Sequence, residues 1–349
     1  MMFWLVAAAL TAATFGLIFA ALAALVFGAL AAALLLLALF AASFLICLAL
    51  WLGARAYVKR AEARWPALGR SVEAAGARAH VREAGPEAAP RVLLIHGANA
   101  NSNELWEPFA LELAHEYRVI ALDRPGMGYS TRPRRAHRLA LQARLAAEVL
   151  EQTGDGPAII VGHSLGAAVA LRLALESPHL VRGLVLLAPL ATPWQGQPIW
   201  WARLAATPVL GHIFCGLIIP NLGPALARAN IDNNFAPSAA PENYYEKSAV
   251  GLAFRPLAFR SSAQDVCNAS AELAQQAPRY PEIFAPAIVI TAEKDRVLSP
   301  KRHARALAAA LPAAELVIAP DTGHMPHQLR PDLGIAAIRR VNAMASVSA

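Results

Sequence analysis

IIVGHSLGAAVA, residues 159–170, joins a run of aliphatic residues to a run of small helix-forming residues. Ile159–Val161 is typical of a strand buried on both faces of a parallel sheet, and Ala167–Glu176 is rich in Ala and Leu without a helix breaker. Ser164 therefore lies in a sharp strand-to-helix turn, where the glycines two residues before and after it permit close approach of neighbouring chain. The turn suits a nucleophilic serine, but a serine N-cap in an ordinary βα unit has the same pattern.

The amino-terminal segment, residues 1–54, is uncharged. It contains no Asp, Glu, Lys, Arg, His, Asn or Gln. A single helix of that length would measure about 75 Å, whereas the hydrocarbon layer of a membrane is about 30 Å thick. A signal peptide would have a basic start and a short apolar core, and this segment has neither. The segment therefore predicts a transmembrane region, with two spans and a turn near Phe27 and Gly28 favoured over one span.

Basic residues follow this segment directly: Arg55, Lys59, Arg60 and Arg64. The positive-inside rule places the end of the apolar segment in the cytoplasm. We therefore expect a protein of the bacterial-type inner (cell) membrane whose remaining chain is cytoplasmic. The formal net charge of +7 is compatible with a body that lies against an anionic bilayer. No zinc-finger spacing or basic and aromatic interleaving indicates a nucleic-acid partner.

After a linker at residues 55–76, short aliphatic runs alternate with helical patterns. The predicted strands are RVLLIHG (91–97), YRVIALD (117–123), IIV (159–161), RGLVLLAP (182–189), AIVITAE (287–293) and AELVIAP (314–320). Strands separated by helices of 10 to 15 residues form a parallel sheet that is covered on both faces. The predicted fold class is α/β with a mostly parallel, doubly wound sheet, and its core is divided into residues 77–189 and 286–349.

Residues 190–285 interrupt this alternation. They contain short helical pieces broken by Pro and Gly, and a group of large apolar side chains: Trp200, Trp201, Phe214, Ile218 and Ile219. A long insertion without strands is typical of a lid or a small subdomain over a site. We expect a helical cap whose apolar residues contribute to substrate binding, although packing within the cap would use the same residue types.

Reactive side chains follow the predicted strands. Sites in open parallel sheets lie beyond the carboxyl ends of the strands, where this sequence has His96, Ser164, Asp295 and His324. A serine hydroxyl is a weak nucleophile at neutral pH, so it needs an imidazole to accept its proton and a carboxylate to hold that imidazole in the required tautomer. The chain order is then nucleophile, acid, base.

Five motifs in this order resemble those of the α/β-hydrolase superfamily, in its lipase- and esterase-like branch with a cap domain. They are HGANANS (96–102), DRPGMGYS (123–130), GHSLG (162–166), AEKDRVLSP (292–300) and TGHMPH (322–327). The resemblance covers residues 77–342 and leaves the apolar segment outside. It implies the α/β-hydrolase fold and catalysis by a serine.

The resemblance also implies a role for each matching residue. Ser164 would be the nucleophile, His324 the general base and Asp295 the acid that orients the base. The backbone N–H groups of Ala98 and Leu165 would form the oxyanion hole. The resemblance implies no cofactor, and the sequence has no metal-binding motif such as H-E-x-x-H.

Two of these assignments have rivals in the sequence. Asp265 could replace Asp295, because some members of the superfamily carry the acid on another strand. His327 could replace His324, although the glycine before His324 favours the latter. Three other polar residues near the predicted site are expected to be structural: His96, Asp123 and His163.

The predicted function is a membrane-anchored serine hydrolase that cleaves carboxylic esters with apolar acyl groups. Its partners would be an ester or lipid substrate and the bilayer, without nucleic acid or metal. Acyl transfer, or cleavage of a C–C or amide bond, would use the same triad. A non-catalytic binding protein would keep the fold and lose a triad residue, and none is missing. The basic run TRPRRAHR (131–138) could meet an anionic headgroup or form a solvated loop.

Overall fold

The structure is a computed structural model that describes residues 2–27, 29–194 and 196–347. The chain divides into two compact units, Met1–Ala56 and Tyr57–Ala349. The first consists of apolar helix, and the second contains the sheet, the cap and the candidate site.

Two helices account for the uncharged segment. Helix α1 spans Met2–Phe27 and helix α2 spans Ala29–Arg64, whose last turns belong to the second unit. Within α2, the stretch Leu35–Arg64 is long and apolar enough to cross a membrane by length and composition, and its most apolar window is not buried. In α1, Val6–Ala21 is a shorter apolar stretch. The turn predicted at Gly28 lies outside the described residues.

Eight strands form one sheet in the order β1-β2-β4-β3-β5-β6-β7-β8. The first two strands run antiparallel to their neighbours and the others are parallel. The strands are β1 Arg70–Ala74, β2 Ala77–Ala84, β3 Arg91–Ile95, β4 Arg118–Leu122, β5 Ala158–His163, β6 Val181–Leu187, β7 Ala287–Ala292 and β8 Ala314–Ala319. All six strands that the sequence predicts lie in this sheet.

Helices cover both faces of the sheet because its central strands are apolar on both faces. The helices around the sheet are α3 Asn103–Leu113, α4 Leu139–Gln152, α5 Leu165–Glu176, α11 Ala306–Ala310, α12 Pro326–Leu329 and α13 Pro331–Val347. In β3, Leu93 and Ile95 point into one core with α4 and α5, whereas Val92 and Leu94 point into the other with α3 and α13. A π-helical turn, Lys301–Arg305, precedes α11.

The predicted linker at residues 55–76 is structured. Ala, Arg and Glu favour helix, so α2 continues to Arg64, where the indole N–H of Trp65 donates to the carbonyl oxygen of Glu246 at 2.9 Å. Strand β1 then pairs with β2 at the edge of the sheet. Neither strand is predicted from the sequence: β1 is a short, half-exposed edge strand, and β2 alternates small with polar residues, so both lack the long aliphatic runs of the parallel strands.

A helical insertion lies between β6 and β7. Its elements are α6 Trp200–Ala206, α7 Leu210–Ile213, a π-helical turn Phe214–Ile218, α8 Ile219–Phe235, α9 Tyr244–Lys247, a 3₁₀ turn Val250–Phe254, α10 Pro256–Gln276 and a 3₁₀ turn Ala277–Glu282. These elements bury a separate apolar cluster that includes Ala202, Ala205, Cys215, Ile219, Phe254 and Phe259. The insertion, called the cap below, therefore has a core of its own.

Candidate active site

Ser164 occupies a strained turn between β5 and α5. Its backbone has φ 49° and ψ −114°, a conformation that L-residues rarely adopt. A Cβ atom at Gly162 would lie 2.6 Å from the Cα of Ala167, and one at Gly166 would overlap the carbonyl oxygen of Ile95 in β3. Both glycines are therefore required for α5 to start this close to the sheet, which presents the Ser164 hydroxyl beyond the strand end.

The structure brings Ser164, His324 and Asp295 together. The Nε2 atom of His324 lies 3.0 Å from Ser164 Oγ, and its Nδ1 atom lies 2.8 Å from Asp295 Oδ2. Burial alone would raise the pKa of Asp295, but His324 and the backbone N–H groups of Val297 and Leu298 hold that pKa below its usual range. The carboxylate is therefore charged at neutral pH and fixes a proton on Nδ1, which leaves Nε2 free to accept one.

The turn after β3 lies directly against the serine. A Cβ atom at Gly97 would be 3.4 Å from the Ser164 Cβ. Ala98, the next residue, precedes Asn99, whose backbone N–H donates to the Ser262 hydroxyl in the cap at 2.9 Å. Leu165 is the first residue of α5, so its N–H has no acceptor within the helix. Ala98 therefore follows the residue that lies against Ser164, and Leu165 directly follows Ser164; their role as oxyanion donors stays a prediction.

Asp265 pairs with two arginines, whereas the carboxylate that pairs with His324 is Asp295. Its two oxygens accept from Arg124 at 2.9 Å and from Arg132 at 2.8 Å, and Arg124 is fully buried. Arg124 also donates to Gln142 and to the carbonyl oxygens of residues 96 and 97. Asp265 therefore neutralises a buried guanidinium that holds the turn after β3. Of the basic run at 131–138, Arg132 belongs to this network, whereas Arg134 and Arg135 are exposed.

A second histidine and carboxylate pair lies behind the serine, and its acid, Glu104, is not among the site residues predicted from the sequence. Glu104 Oε1 is 2.5 Å from Nδ1 of His163, and Glu104 Oε2 accepts the Gly97 N–H at 2.7 Å. The Nε2 atom of His163 contacts the carbonyl oxygen of His324 at 3.0 Å. Glu104 and His163 thus connect three chain segments: the turn after β3 that contains Gly97, the turn at Ser164, and the loop that contains His324.

The charges of this pair depend on one another because both groups are buried. Burial would raise the pKa of Glu104, but the neighbouring His163 lowers it well below its usual range. Burial would likewise lower the pKa of His163, but Glu104 raises it above the usual value. Both directions favour an anionic Glu104 beside a protonated His163.

His327 and His96 are buried and neutral. Burial and the charge of His163 hold the pKa of His327 well below its usual value, and the centroid of its ring lies 4.4 Å from that of the tilted His163 ring. Burial and the charge of Arg124 lower the pKa of His96 to about 4, and the His96 Nε2 accepts the backbone N–H of Arg124 at 3.0 Å. His327 therefore stands behind His163, and the structure places His324 at the serine.

Glu104, His163 and His327 are also the group of described residues whose composition could hold a metal ion, with ligand atoms within 4.8 Å of one another. The 2.5 Å separation of Glu104 Oε1 and His163 Nδ1 is a hydrogen-bonding distance. Two ligands of a tetrahedral Zn²⁺, each about 2.0–2.1 Å from the metal, would stand about 3.3 Å apart. The donor set therefore fits an ion pair better than a zinc site.

The predicted substrate-binding residues of the cap divide between its core and its surface. The ring centroid of Trp201 lies 5.3 Å from that of Phe259, and Phe214 and Ile219 belong to the same apolar cluster of the cap core. Trp200, in contrast, is half exposed. An insertion that must bury its own core uses its aromatic side chains for that purpose first. Contact of these residues and of Ile218 with a substrate stays a prediction. The cap reaches the site through α8, where the Asn234 carbonyl accepts the His324 N–H at 2.8 Å.

The Glu104 and His163 pair gives a stability prediction. Glu104→Gln removes one charge of a buried pair, which we expect to lower the free energy of unfolding by about 2–4 kcal/mol. Chemical denaturation of the detergent-solubilised chain would measure it. Glu112→Gln is the control, because Glu112 lies on the same helix and pairs with Arg339 at the surface.

The pH dependence distinguishes the pair from a generic packing defect. A lowered Glu104 pKa gives stability that is complete above the ordinary value of 4.5 and is lost as the pH falls. A raised His163 pKa gives stability that is complete below 6.5 and is lost as the pH rises through the raised value. The difference between wild type and Glu104→Gln should be largest between pH 4.5 and 6.5. A difference that stays constant into the alkaline range would contradict the charged pair.

Known proteins resemble this protein in sequence and in fold. The family model of the alpha/beta hydrolase fold matches residues 90–331. 2-(Acetamidomethylene)succinate hydrolase of Mesorhizobium japonicum is 27% identical over 271 residues, 78% of this chain and 94% of that protein. Lipase LipV of Mycobacterium tuberculosis is 38% identical over 112 residues, 32% of this chain and 41% of LipV.

A solved structure gives the same result. The thermophilic esterase of Thermogutta terrifontis matches with a TM-score of 0.60 at 21% identity, over 77% of this chain and 94% of that chain. This likeness concerns the fold, and the family model covers more than half of the sequence. The protein is a hydrolase that belongs to the α/β-hydrolase fold family.

Proposed function

We propose that this protein is a membrane-anchored serine hydrolase that cleaves carboxylic esters with apolar acyl groups through an acyl-enzyme. The observation that carries the proposal is the hydrogen-bonded chain from Ser164 Oγ to His324 at 3.0 Å and from His324 to Asp295 at 2.8 Å. In this arrangement a base contacts the nucleophile and a carboxylate orients the base.

The reaction follows from these contacts. As Ser164 Oγ attacks the ester carbonyl carbon, its proton passes to Nε2 of His324. The imidazolium then gives that proton to the leaving alcohol as the carbon–oxygen bond breaks, which leaves an acyl ester on Ser164. A water molecule attacks this ester while Nε2 accepts its proton, and return of the proton to Ser164 releases the carboxylic acid. Asp295 stabilises the imidazolium in both steps and stays ionised.

The negative charge of each tetrahedral intermediate would be stabilised by the N–H groups of Ala98 and Leu165. Each such donor contributes about 10²–10³-fold to the rate. Glu104 holds the adjacent Gly97 N–H, and Arg124 holds the carbonyl oxygens of residues 96 and 97. Ala98, one of the two proposed donors, therefore belongs to a turn that is fixed before substrate binds, and Leu165, the other, is fixed as the first residue of α5.

The apolar acyl group and the anchor have separate support. The cap is rich in apolar residues, and the similar proteins include one named lipase and one named esterase. Leu35–Arg64 has the length and composition of a membrane span, and the basic residues from Arg55 to Arg64 would keep its end in the cytoplasm. We therefore assign the hydrolase to the inner face of a bacterial-type cell membrane.

Replacement of the nucleophile tests the mechanism. Ser164→Ala should keep the unfolding transition of the wild type and lose nearly all hydrolysis of short p-nitrophenyl esters, because no acyl-enzyme can form. A fluorophosphonate probe should label the wild type and the exposed-serine control Ser71→Ala, but not Ser164→Ala. Unchanged turnover in Ser164→Ala would refute the proposed nucleophile.

Replacement of the acid distinguishes two aspartates. Asp295→Asn should lower kcat by up to about 10⁴-fold, because an amide leaves His324 in the wrong tautomer. Asp265→Asn leaves Arg124 and Arg132 short of a countercharge, so we expect lower stability with much smaller loss of kcat per folded molecule. Turnover normalised to active sites titrated with the probe would measure both, and the reverse order would assign the acid to Asp265.

The acyl preference tests the substrate class. In a series of p-nitrophenyl esters from two to eight acyl carbons, kcat/KM should rise by up to about fourfold per methylene, the equivalent of about 0.8 kcal/mol. The detergent-solubilised full chain would be used, with the p-nitroanilide of one acyl group as the control for amide cleavage. A flat or falling series would exclude an apolar acyl site, and faster anilide than ester turnover would favour an amidase.

A further inference from the structure

The cap carries an exposed apolar patch on its outer side. We call it the cap patch, and its side chains are each between 48% and 70% exposed: Ile199, Trp200, Val209, Leu210 and Ile213. The ring of Trp200 lies 6.5 Å from that of Phe214, the residue after Ile213, so the two ends of the patch adjoin. A cluster of large apolar side chains at the surface of a soluble unit indicates an interaction site.

The cap patch is a fixed surface. Thr207, between α6 and α7, donates to the Leu204 carbonyl at 2.7 Å and accepts the Gly211 N–H at 2.8 Å. A Cβ atom at Gly211 would overlap the carbonyl oxygen of Ala205, so the two helices touch at this corner. On the inner side, Ala205 of α6 and Cys215 of the π-helical turn after α7 are buried in the cap core, so the backbone that carries the patch is packed in place.

The surroundings of the cap patch are basic. The sequence has no Asp or Glu from Ser177 to Ile231. Exposed basic or titratable side chains lie within this segment: Arg203, His212 and Arg228. The acids of the neighbouring α10 are engaged elsewhere, Asp265 with two arginines and Glu272 with the backbone N–H of Leu139. An anionic surface would thus meet both apolar and cationic groups here.

The second unit begins at the cap. Its first residue, Tyr57, packs against the apolar cluster of the cap together with Trp201 and Phe214, and its hydroxyl donates to the Gly251 carbonyl at 2.8 Å. Lys59 and Arg60, on the next turn, are exposed. The residues that follow the apolar segment are therefore fastened to the element that carries the cap patch.

We propose that the cap patch lies on an anionic lipid bilayer, with its aliphatic side chains among the acyl chains and Trp200 at the headgroup level. Such a surface is bound by buried apolar area together with attraction between basic side chains and anionic lipid. This inference rests on the proposed membrane anchoring and does not depend on the reaction. A second copy of the chain fits less well, because a two-fold contact would place the arginines and histidine of one copy near those of the other.

The first experiment measures how deeply residue 209 of the cap patch lies in a lipid bilayer. Nitroxide labels are attached at Val209→Cys or at the control Leu111→Cys, an exposed leucine on α3, in full chain with Cys47→Ser and Cys267→Ala. The chain is reconstituted in phosphatidylcholine vesicles that contain phosphatidylglycerol. The label at 209 should be relaxed by oxygen in preference to a soluble nickel chelate, and the label at 111 should show the reverse.

Three outcomes of this experiment overturn the proposal. They are nickel-accessible labels at both positions, a chain that does not float with the vesicles, and dipolar broadening at 209 from a neighbouring copy. Because none of these readouts uses hydrolysis, failure of the proposed reaction leaves the depth measurement interpretable.

The second experiment measures the consequence for catalysis. Val209→Glu combined with Leu210→Glu should leave turnover of a soluble short ester unchanged and lower turnover of a long-chain ester embedded in the same vesicles by roughly tenfold or more, since two acidic side chains would oppose burial of this surface in an anionic bilayer. Leu111→Glu should alter neither rate. Equal loss on the soluble and the embedded ester would overturn the proposal, because the variant would then act on the active site.

Discussion

The close approach of α5 to the sheet is the constraint on which the rest of the site depends. Because Gly166 has no side chain, the first turn of α5 lies against the carbonyl oxygen of Ile95, and Ser164 must adopt a positive φ to connect strand and helix. In this backbone conformation the Ser164 hydroxyl lies beyond the end of β5, next to the first turn of α5. The strain is offset by α5 itself, whose apolar face fills the core between β5 and α4.

The site contains two histidine and carboxylate pairs, and they have different roles. Asp295 and His324 stand at the serine, where in the proposed reaction the imidazole accepts and returns a proton. Glu104 and His163 stand behind it as a charged pair that binds the backbone of Gly97 and of His324. A buried pair of this kind is weak support for stability alone, since its desolvation is costly. Its value here is geometric, because it holds three separate chain segments in register.

The sequence predicts the parts of this site that depend on local pattern. Each parallel strand is an aliphatic run, so the fold class could be predicted. Ser164, Asp295 and His324 are predicted as a group because each comes shortly after such a run, and the structure places Ser164 and Asp295 within hydrogen-bonding distance of His324. Glu104 could not, because its partners lie far along the chain and an acid in the first turn of a helix is ordinary. Asp265 remained a rival for the same reason, since its contact with Arg124 crosses more than a hundred residues. The strands β1 and β2 lacked the long aliphatic signal.

Hydropathy alone treats Leu210–Phe235 as a second candidate span, and the structure explains why it is apolar without being one. A third of its most apolar window is buried, with Gly223 packed against Phe254, so one side of the helix is core. Its end is bonded to the site, where Asn234 accepts the His324 N–H. Withdrawal of this helix into a bilayer would expose the cap core and release that bond. Its apolar outer residues are therefore compatible with lying on a membrane, and its inner contacts are incompatible with crossing one.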